Sequence, residues 1–403
     1  LMAVYVVGNW ENLVVSYEFG RPFSLAERLA TQVVVVWEYL LHVIFPRYTS
    51  FGPYHDDYPV FNWGQYLPWL SLIAWGTIAW VALRLAKQGW LRGVFAWGLF
   101  FYLSGHLVES TWVPLELYFE HRNYVPVVGV VLFFTALVFS FLKDRKVWLG
   151  VGFALIVLVN VFSLQRLASL WGEPLLVAEI WVMHHPDSAR AAQTLAHEYM
   201  KNDFVPAGVS VLDRYSERHP GSVAVQLQAL AAQCRLGELE SVGERFSKLE
   251  NSIANTRDPK TAISGLSELT RLVVDGRCGP EAVHGLDAFL DVALQSPSIM
   301  LMPKLRHHYH YARSLVLESK GDVDGYLYWA KKAYFVFPAI SLAEKIATVY
   351  FQCAQFNEAL EWLAQAEEVL PERGSRVWVE RLKSMEKAVE AVRSGAQTPP
   401  DGI

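Results

Sequence analysis

Residues 109 to 126 read Glu109-Ser110-Thr111-Trp112-Val113-Pro114-Leu115-Glu116-Leu117-Tyr118-Phe119-Glu120-His121-Arg122-Asn123-Tyr124-Val125-Pro126. Three carboxylates, an imidazole and a guanidinium thus sit among aromatics beside a long apolar run. Ionised groups near lipid are costly unless paired or solvated, so something must hold them or use them. Glu116 and Glu120 are four apart and would share one face if the stretch is helical. Arg122 can neutralise one of them or grip a phosphate with two parallel N–H bonds, and His121 precedes it. The plainer alternative is an ion-pair network that orients helix ends.

A second polar island is the turn-rich Phe51-Gly52-Pro53-Tyr54-His55-Asp56-Asp57-Tyr58-Pro59. His55, Asp56 and Asp57 are candidate loop ligands for a divalent cation or for a substrate hydroxyl, against the alternative of solvated turn residues. His307-His308-Tyr309-His310-Tyr311 places His307 and His310 on one helix face. No acidic or cysteine ligand lies close in sequence, so groove lining or plain surface is expected there and no metal is assigned. Cys234, Cys278 and Cys353 are far apart, lack CxxC spacing and cannot all pair within the chain. They are expected to be small buried apolar residues.

The elements that must position these groups divide into two regimes. The 403 residues are 53% hydrophobic, 14% aromatic and 19% charged, but Trp, Phe, Val and Leu crowd residues 1 to 171, whereas 185 to 403 carry frequent charges. Two regimes in one chain imply two solvents. A net charge of −5 with no basic stripe gives nucleic acid no footprint.

A membrane span needs roughly 17 to 25 mostly apolar residues, because lipid offers backbone amides no partner. The segments 66 to 83, 124 to 142 and 147 to 164 contain no charged side chain, and 93 to 108 carries only His106. Residues 31 to 45 are apolar but short and include Glu38 and His42, so a span and an interfacial segment remain alternatives. The basic turns Arg84, Lys87, Arg92 and Lys143-Asp144-Arg145-Lys146 belong on the cytoplasmic side. Residues 46 to 65, 109 to 123 and everything after 165 then face the other side, which in a bacterium is the periplasm. The opening run Leu1 to Val7 reads as the tail of an earlier span, so the numbering is expected to begin inside a longer protein.

In the charged half, His185-Pro186-Asp187-Ser188 recurs 34 positions on as His219-Pro220-Gly221-Ser222. That is the length of a helix-turn-helix repeat of tetratricopeptide type. A unit ending at Pro371 carries Ala347, Tyr350, Ala359, Leu363 and Ala366 at that repeat's small and bulky positions. A unit closing at Pro338 has Ala333, and one closing at Pro220 has Ala196, Tyr199 and Leu212, with Gly208 where Ala is usual. Residues 253 to 303 fit poorly but still read as helices. Stacked pairs leave a groove suited to an extended peptide or a neighbouring protein, the alternative being a mere spacer.

Several segments together resemble the transmembrane-and-tetratricopeptide-repeat family of protein O-mannosyltransferases. These are Arg21-Pro22-Phe23-Ser24-Leu25-Ala26-Glu27-Arg28-Leu29 leading into Trp37-Glu38-Tyr39-Leu40 and Phe45-Pro46, then Glu120 with Tyr124, Val125 and Pro126, and the junction of Arg166, Trp171, Pro186 and Ala189-Arg190-Ala191. The likeness covers most of residues 15 to 220. One departure is His121, which separates Glu120 from Arg122 where the family's Arg directly follows its Glu. The resemblance implies an exoplasmic site that moves a sugar from a polyprenyl phosphate to an acceptor presented by the repeats, with the key acid upstream of Leu1. Glu120, Arg122, Glu116 and His121 are then the expected donor and phosphate contacts, and the lipid-linked sugar is a substrate rather than a resident cofactor.

The fold expected is all-α. A polytopic transmembrane bundle of four to five spans occupies 1–171, a tetratricopeptide-repeat solenoid 172–393, and a flexible tail 394–403. The expected place is the inner membrane with exoplasmic repeats. The competing readings are a non-catalytic repeat scaffold for envelope or pilus assembly and, more weakly, a transporter, for which no pair of broken helices marks a midplane site.

Overall fold

A computed structural model describes residues 17, 21–44, 52, 54–107, 109–142, 146–237, 239–253, 261–370 and 376–395. The opening run, Phe45-Pro46, Phe51, Pro53, the basic turn 143–145, Pro371 and residues 396–403 lie outside the described residues. Those described form eighteen α-helices, and no strand occurs among them. The chain folds as two compact units, Leu1–Arg218 and His219–Ile403. Packing therefore divides the chain after the first helix pair of the charged half, whereas hydropathy changes near residue 171.

The first unit holds α1 (Leu25–Ile44), α2 (Tyr66–Ala86), α3 (Trp90–His106), α4 (Val127–Leu142) and α5 (Lys146–Trp171). It continues with α6 (Pro174–His184), α7 (Ala189–Lys201) and α8 (Val205–Arg218). Each expected apolar segment is helical, but among the described residues only Tyr66–Ala86 and Gly150–Trp171 are long and apolar enough to cross a membrane. The helices at 90–106 and 127–142 are 17 and 16 residues long, at the short end of a span. The 20-residue α1 buries Arg28, Thr31 and Gln32, so its polar face is turned to protein. Four to five spans are thus more than these lengths establish.

A close crossing joins α3 to α4. A Cβ on Gly98 would lie 2.6 Å from the Gly129 carbonyl oxygen, and one on Gly129 would lie 2.5 Å from that of Gly98. The two backbones touch there, as small residues permit between helices in lipid. Around this crossing Trp75, Phe95, Leu99, Tyr102 and Val130 form the core. No described residue of the apolar window in α5 is buried, and Phe153, Ile156, Leu158 and Phe162 are all exposed.

The second unit runs α9 (Val223–Leu236), α10 (Val242–Ile253), α11 (Ala262–Val274), α12 (Pro280–Ala293), a single turn α13 (Pro297–Met300) and α14 (Pro303–Ser319). It ends with α15 (Val323–Val336), α16 (Ile340–Gln352), α17 (Phe356–Glu368) and α18 (Arg376–Arg393). Helices α14 with α15, and α16 with α17, pack as consecutive hairpins. The small and bulky positions of the template close them: Ala333, Ala347, Tyr350, Ala359, Leu363 and Ala366 are all buried. The poorly fitting stretch is helical too, but α9 packs chiefly on α11 and α10 on α12.

Both His-Pro-x-Ser motifs make the same helix-opening turn. Ser188 N–H donates to His185 at 3.1 Å before α7, and Ser222 N–H donates to His219 at 3.0 Å before α9. In the first unit Gly208 suits the pairing of α7 and α8, since a Cβ there would lie 2.8 Å from the Ala196 carbonyl oxygen.

Two expectations need correction. Cys234 and Cys278 are buried but joined in a disulfide across 44 positions, while Cys353 is exposed. Sequence spacing missed the pair because the partners meet only when α9 and α11 pack together. His310 is neither surface nor groove lining but buried beside Trp329, and His307 Nδ1 lies 2.9 Å from the Ala333 carbonyl oxygen.

Candidate functional site

The stretch from 109 to 119 is not a helix, and Glu120–Asn123 is a single 3-10 turn. Glu116 and Glu120 therefore do not share a helical face. Pro114 and the aromatic residues favour an extended path, and this path is hung on α1 by side chains that reach its carbonyls. Arg28, 0% exposed, donates from Nε to Thr111 at 2.8 Å, from Nη1 to Leu115 at 2.5 Å and Glu116 at 3.2 Å, and from Nη2 to Glu109 at 2.6 Å. Gln32 donates to the Leu117 carbonyl at 2.5 Å. The Tyr39 hydroxyl donates to the Phe119 carbonyl at 3.0 Å and accepts its N–H at 2.7 Å. Because buried carbonyls must find donors, these three residues fix the ledge.

Arg122 braces the ledge from within. Its side chain is only 2% exposed; Nη1 donates to the Glu116 carbonyl at 2.7 Å, and Nε lies 3.2 Å from Glu109 Oε2. Around the Glu116 carboxylate stand three guanidinium groups: Arg190 at 3.3 Å, Arg21 at 3.6 Å and Arg122 at 3.7 Å. Burial alone raises the Glu116 carboxyl, but its own backbone N–H, Arg21 and Arg190 outweigh that and hold it below the ordinary carboxylate range.

Gly52 and the 54–58 loop meet this ledge. Glu120 accepts from Gly52 N–H at 3.2 Å, and its Oε1 lies 3.3 Å from His55 Nε2. The His55 ring packs on Tyr118 and on His185, with centroids 4.4 and 4.7 Å apart. His185 Nδ1 is 3.0 Å from Asp57 Oδ1, a hydrogen bond that raises the imidazole's pKa above its usual value despite partial burial. Asp56 instead accepts from the Ser188 hydroxyl and from Arg190 N–H, helping to cap α7. The two aspartates thus turn to different partners rather than to one point. Among the described residues no three of His, Cys, Asp and Glu converge as metal ligands.

Two His–carboxylate pairs consequently stand side by side next to an arginine cluster. An imidazole held by a carboxylate can serve as a general base, and guanidinium groups can neutralise an anionic leaving group. His121 is exposed with its ring against Phe119, away from these contacts. Arg21, Arg28, Tyr39, His185, Ser188 and Arg190 received no role from sequence alone. For His185, Ser188 and Arg190 the visible signal was the repeated His-Pro-x-Ser turn and an Arg in the first turn of the helix after it; Arg21, Arg28 and Tyr39 lie in the segment that carries the family resemblance.

No protein-family model matches the chain, and no curated protein matches it. A solved structure of the P58(IPK) TPR domain is similar at 18% identity over 63% of this chain and 69% of that one, with a TM-score of 0.22. A superposition that loose carries no argument, and the helix pairing described above rests on this chain's own residues.

Proposed function

We propose that the chain belongs to a multi-pass membrane protein that transfers a sugar from a polyprenyl phosphate to an acceptor outside the cytoplasm, with its helical repeats holding the acceptor. The observation that carries this reading is the meeting of three separate segments, 52–58, 109–122 and 185–190, in one cluster of paired histidines and arginines beside apolar helices. The basic-turn rule assigns those segments to one side of a bilayer. In this reading the His55–Glu120 and His185–Asp57 pairs orient and deprotonate the acceptor hydroxyl while the arginines face the donor phosphate. Arg122, enclosed between Glu109 and Glu116, acts as the brace of the ledge, and Arg190 with Arg21 are its more accessible cations.

The Cys234–Cys278 disulfide supports an exoplasmic place for the repeats, since such bonds persist in oxidising compartments. Helix α5 supports the membrane, because an apolar window with no buried residue is costly to leave in water. The rival reading is a repeat scaffold without chemistry, favoured by one feature: the ion pairs of the ledge already close on one another.

A transfer assay separates the two. The full-length protein in nanodiscs receives a radiolabelled polyprenyl-phosphate hexose and a mixture of exoplasmic proteins or glycans. The proposal predicts label in the acceptor fraction, lost in His185→Ala and Glu120→Gln variants that melt like the parent. Equal label with and without the protein removes the transferase reading and leaves the scaffold.

A further inference from the structure

Helices α15 and α17 of the second unit leave a row of aromatic and charged side chains uncovered. On α15, Tyr328, Lys332 and Phe335 recur four and three positions apart and so share one face. Tyr328 is 54% exposed and Phe335 72%. The Lys332 ammonium lies over two rings, 4.3 Å from the centre of Tyr328 and 4.7 Å from that of Trp329, which fixes its charge on this ridge. Helix α17 runs alongside: the Trp362 ring lies 5.1 Å from Tyr334 and 6.0 Å from Phe335, and the Tyr334 hydroxyl donates to the Gln365 carbonyl at 3.0 Å. That helix carries Glu358, Glu361, Glu367 and Glu368, all exposed, and neither lysine nor arginine. A basic aromatic ridge therefore borders an acidic one.

Charge decides what fits this face. Single exposed aromatics are ordinary, but a ridge of them in contact marks an interaction surface. An anionic bilayer would accept the rings and the lysine, yet the carboxylates beside them repel it. A second copy of the chain satisfies both signs. Because Phe335 packs on Trp362 and the two helices run parallel, Lys332, one turn earlier, is level with Glu358 and Glu361. A half-turn about an axis parallel to the helices and midway between the ridges sets α15 of each copy on α17 of the other. Lys332 then meets carboxylates at its own level, and Tyr328 and Phe335 are covered in both copies. Asp324, two turns before Lys332, is level with residues that precede α17 and meets none of them.

From this we infer that the exposed faces of α15 and α17 form a two-fold interface through which two copies of the chain pair, the lysine-aromatic ridge of each lying on the acidic ridge of the other. The pairing does not depend on the transferase reading. Its strength follows from its size. Two helices of 14 and 13 residues are each about 20 Å long and lie about 10 Å apart, so each copy offers about 400 Å². A standard interface covers about 800 Å² on each partner, so the association is weak and reversible in detergent. Confinement of the copies to one membrane raises their effective concentration and favours it.

The test uses the full-length protein in two ways. Membranes holding a mixture of isotopically light and heavy copies are treated with a zero-length carbodiimide, which joins an amine only to a carboxylate in contact, and sedimentation velocity in detergent follows a concentration series. The expected results are light–heavy cross-links from Lys332 to the carboxylates of α17 and a dimer that weakens with salt, as the screening length falls from about 10 Å at 0.1 M to about 3 Å at 1 M. Each substitution acts twice in a two-fold interface. Lys332→Glu is therefore expected to weaken the dimer about a hundredfold, roughly tenfold per contact, and Phe335→Ser by about tenfold or more. Lys332→Glu combined with Glu358→Lys and Glu361→Lys should restore the parent affinity to within about threefold. Melting temperatures should stay equal, since the substituted side chains are on the surface. The absence of light–heavy cross-links, or a Lys332→Glu dimer as tight as the parent's, overturns the interface. A charge-reversed variant as weak as Lys332→Glu overturns the two-fold arrangement. Variants that keep the dimer but lose contact with phosphatidylglycerol nanodiscs would make the face a lipid surface and overturn the pairing as well. Sugar transfer, present or absent, bears on the transferase reading alone.

Discussion

Helices α5 and α9 are both rich in apolar residues, yet they live in opposite surroundings. Ten residues of α9, from Val223 to Cys234, are buried by its neighbours, whereas in α5 no residue of the apolar window from Gly150 to Trp171 is buried. Composition alone therefore does not say whether an apolar helix is core or lipid-facing; what decides is whether other helices cover it. The repeats hide α9 by stacking, and no helix among the described residues buries the apolar window of α5. The same division separates how each unit is closed, by backbone contact between glycines in the first and by Ala-lined hairpins and a disulfide in the second.

The sharpest way to break the comparison is a matched pair of truncations. Leu227→Ala, at a fully buried position of α9, is expected to cost about 3–4 kcal/mol of stability in the second unit by denaturant melting. Leu158→Ala, at an exposed position of α5, should shift the first unit's transition by less than about 0.5 kcal/mol. A similar loss in both variants would mean that α5 is buried against protein. Next, Gly98→Leu drives a side chain into the Gly129 carbonyl and is expected to cost about 3 kcal/mol, read as lost monodispersity and a lower melting temperature in detergent. The second unit should be untouched.

Smaller effects follow at the disulfide and at the histidine pair. Reduction of Cys234–Cys278, or Cys234→Ser, should destabilise the second unit by about 2–4 kcal/mol without altering membrane insertion. A melting curve unchanged by reductant would contradict the pairing. His185 has its pKa raised in the fold, so the stability it contributes is complete below the unfolded value near 6.5 and declines as pH rises through the higher folded value. Because the pair is partly open to solvent, the effect is at most about 1 kcal/mol. Asp57→Asn should therefore lower the melting temperature of the first unit at pH 6 and change it little at pH 9.

Much of the fold was legible. The 34-residue offset of two His-Pro-x-Ser turns gave the repeat length, and uncharged runs marked α2, α4 and α5, because both signals are local. The site was legible only in part. Glu116, Glu120, Arg122 and the 55–57 loop stood out as ionisable groups among aromatics. Their partners did not, since Arg28 reaches the ledge from more than 80 positions away and Arg190 from 74. The condition that 116–120 be helical is not met, and for a physical reason. Carbonyls that Arg28, Gln32 and Tyr39 satisfy from outside have no need of an intrahelical donor.

Everything functional depends on the repeats and the Glu/His/Arg ledge facing the same exterior compartment. Cys353 is exposed while the other two cysteines are bonded to each other, which makes it a reporter already in place. Intact spheroplasts treated with a membrane-impermeant maleimide should label Cys353 before lysis, with no label in Cys353→Ser. Labelling that appears only after the membrane is broken open would set the second unit in the cytoplasm and contradict the account.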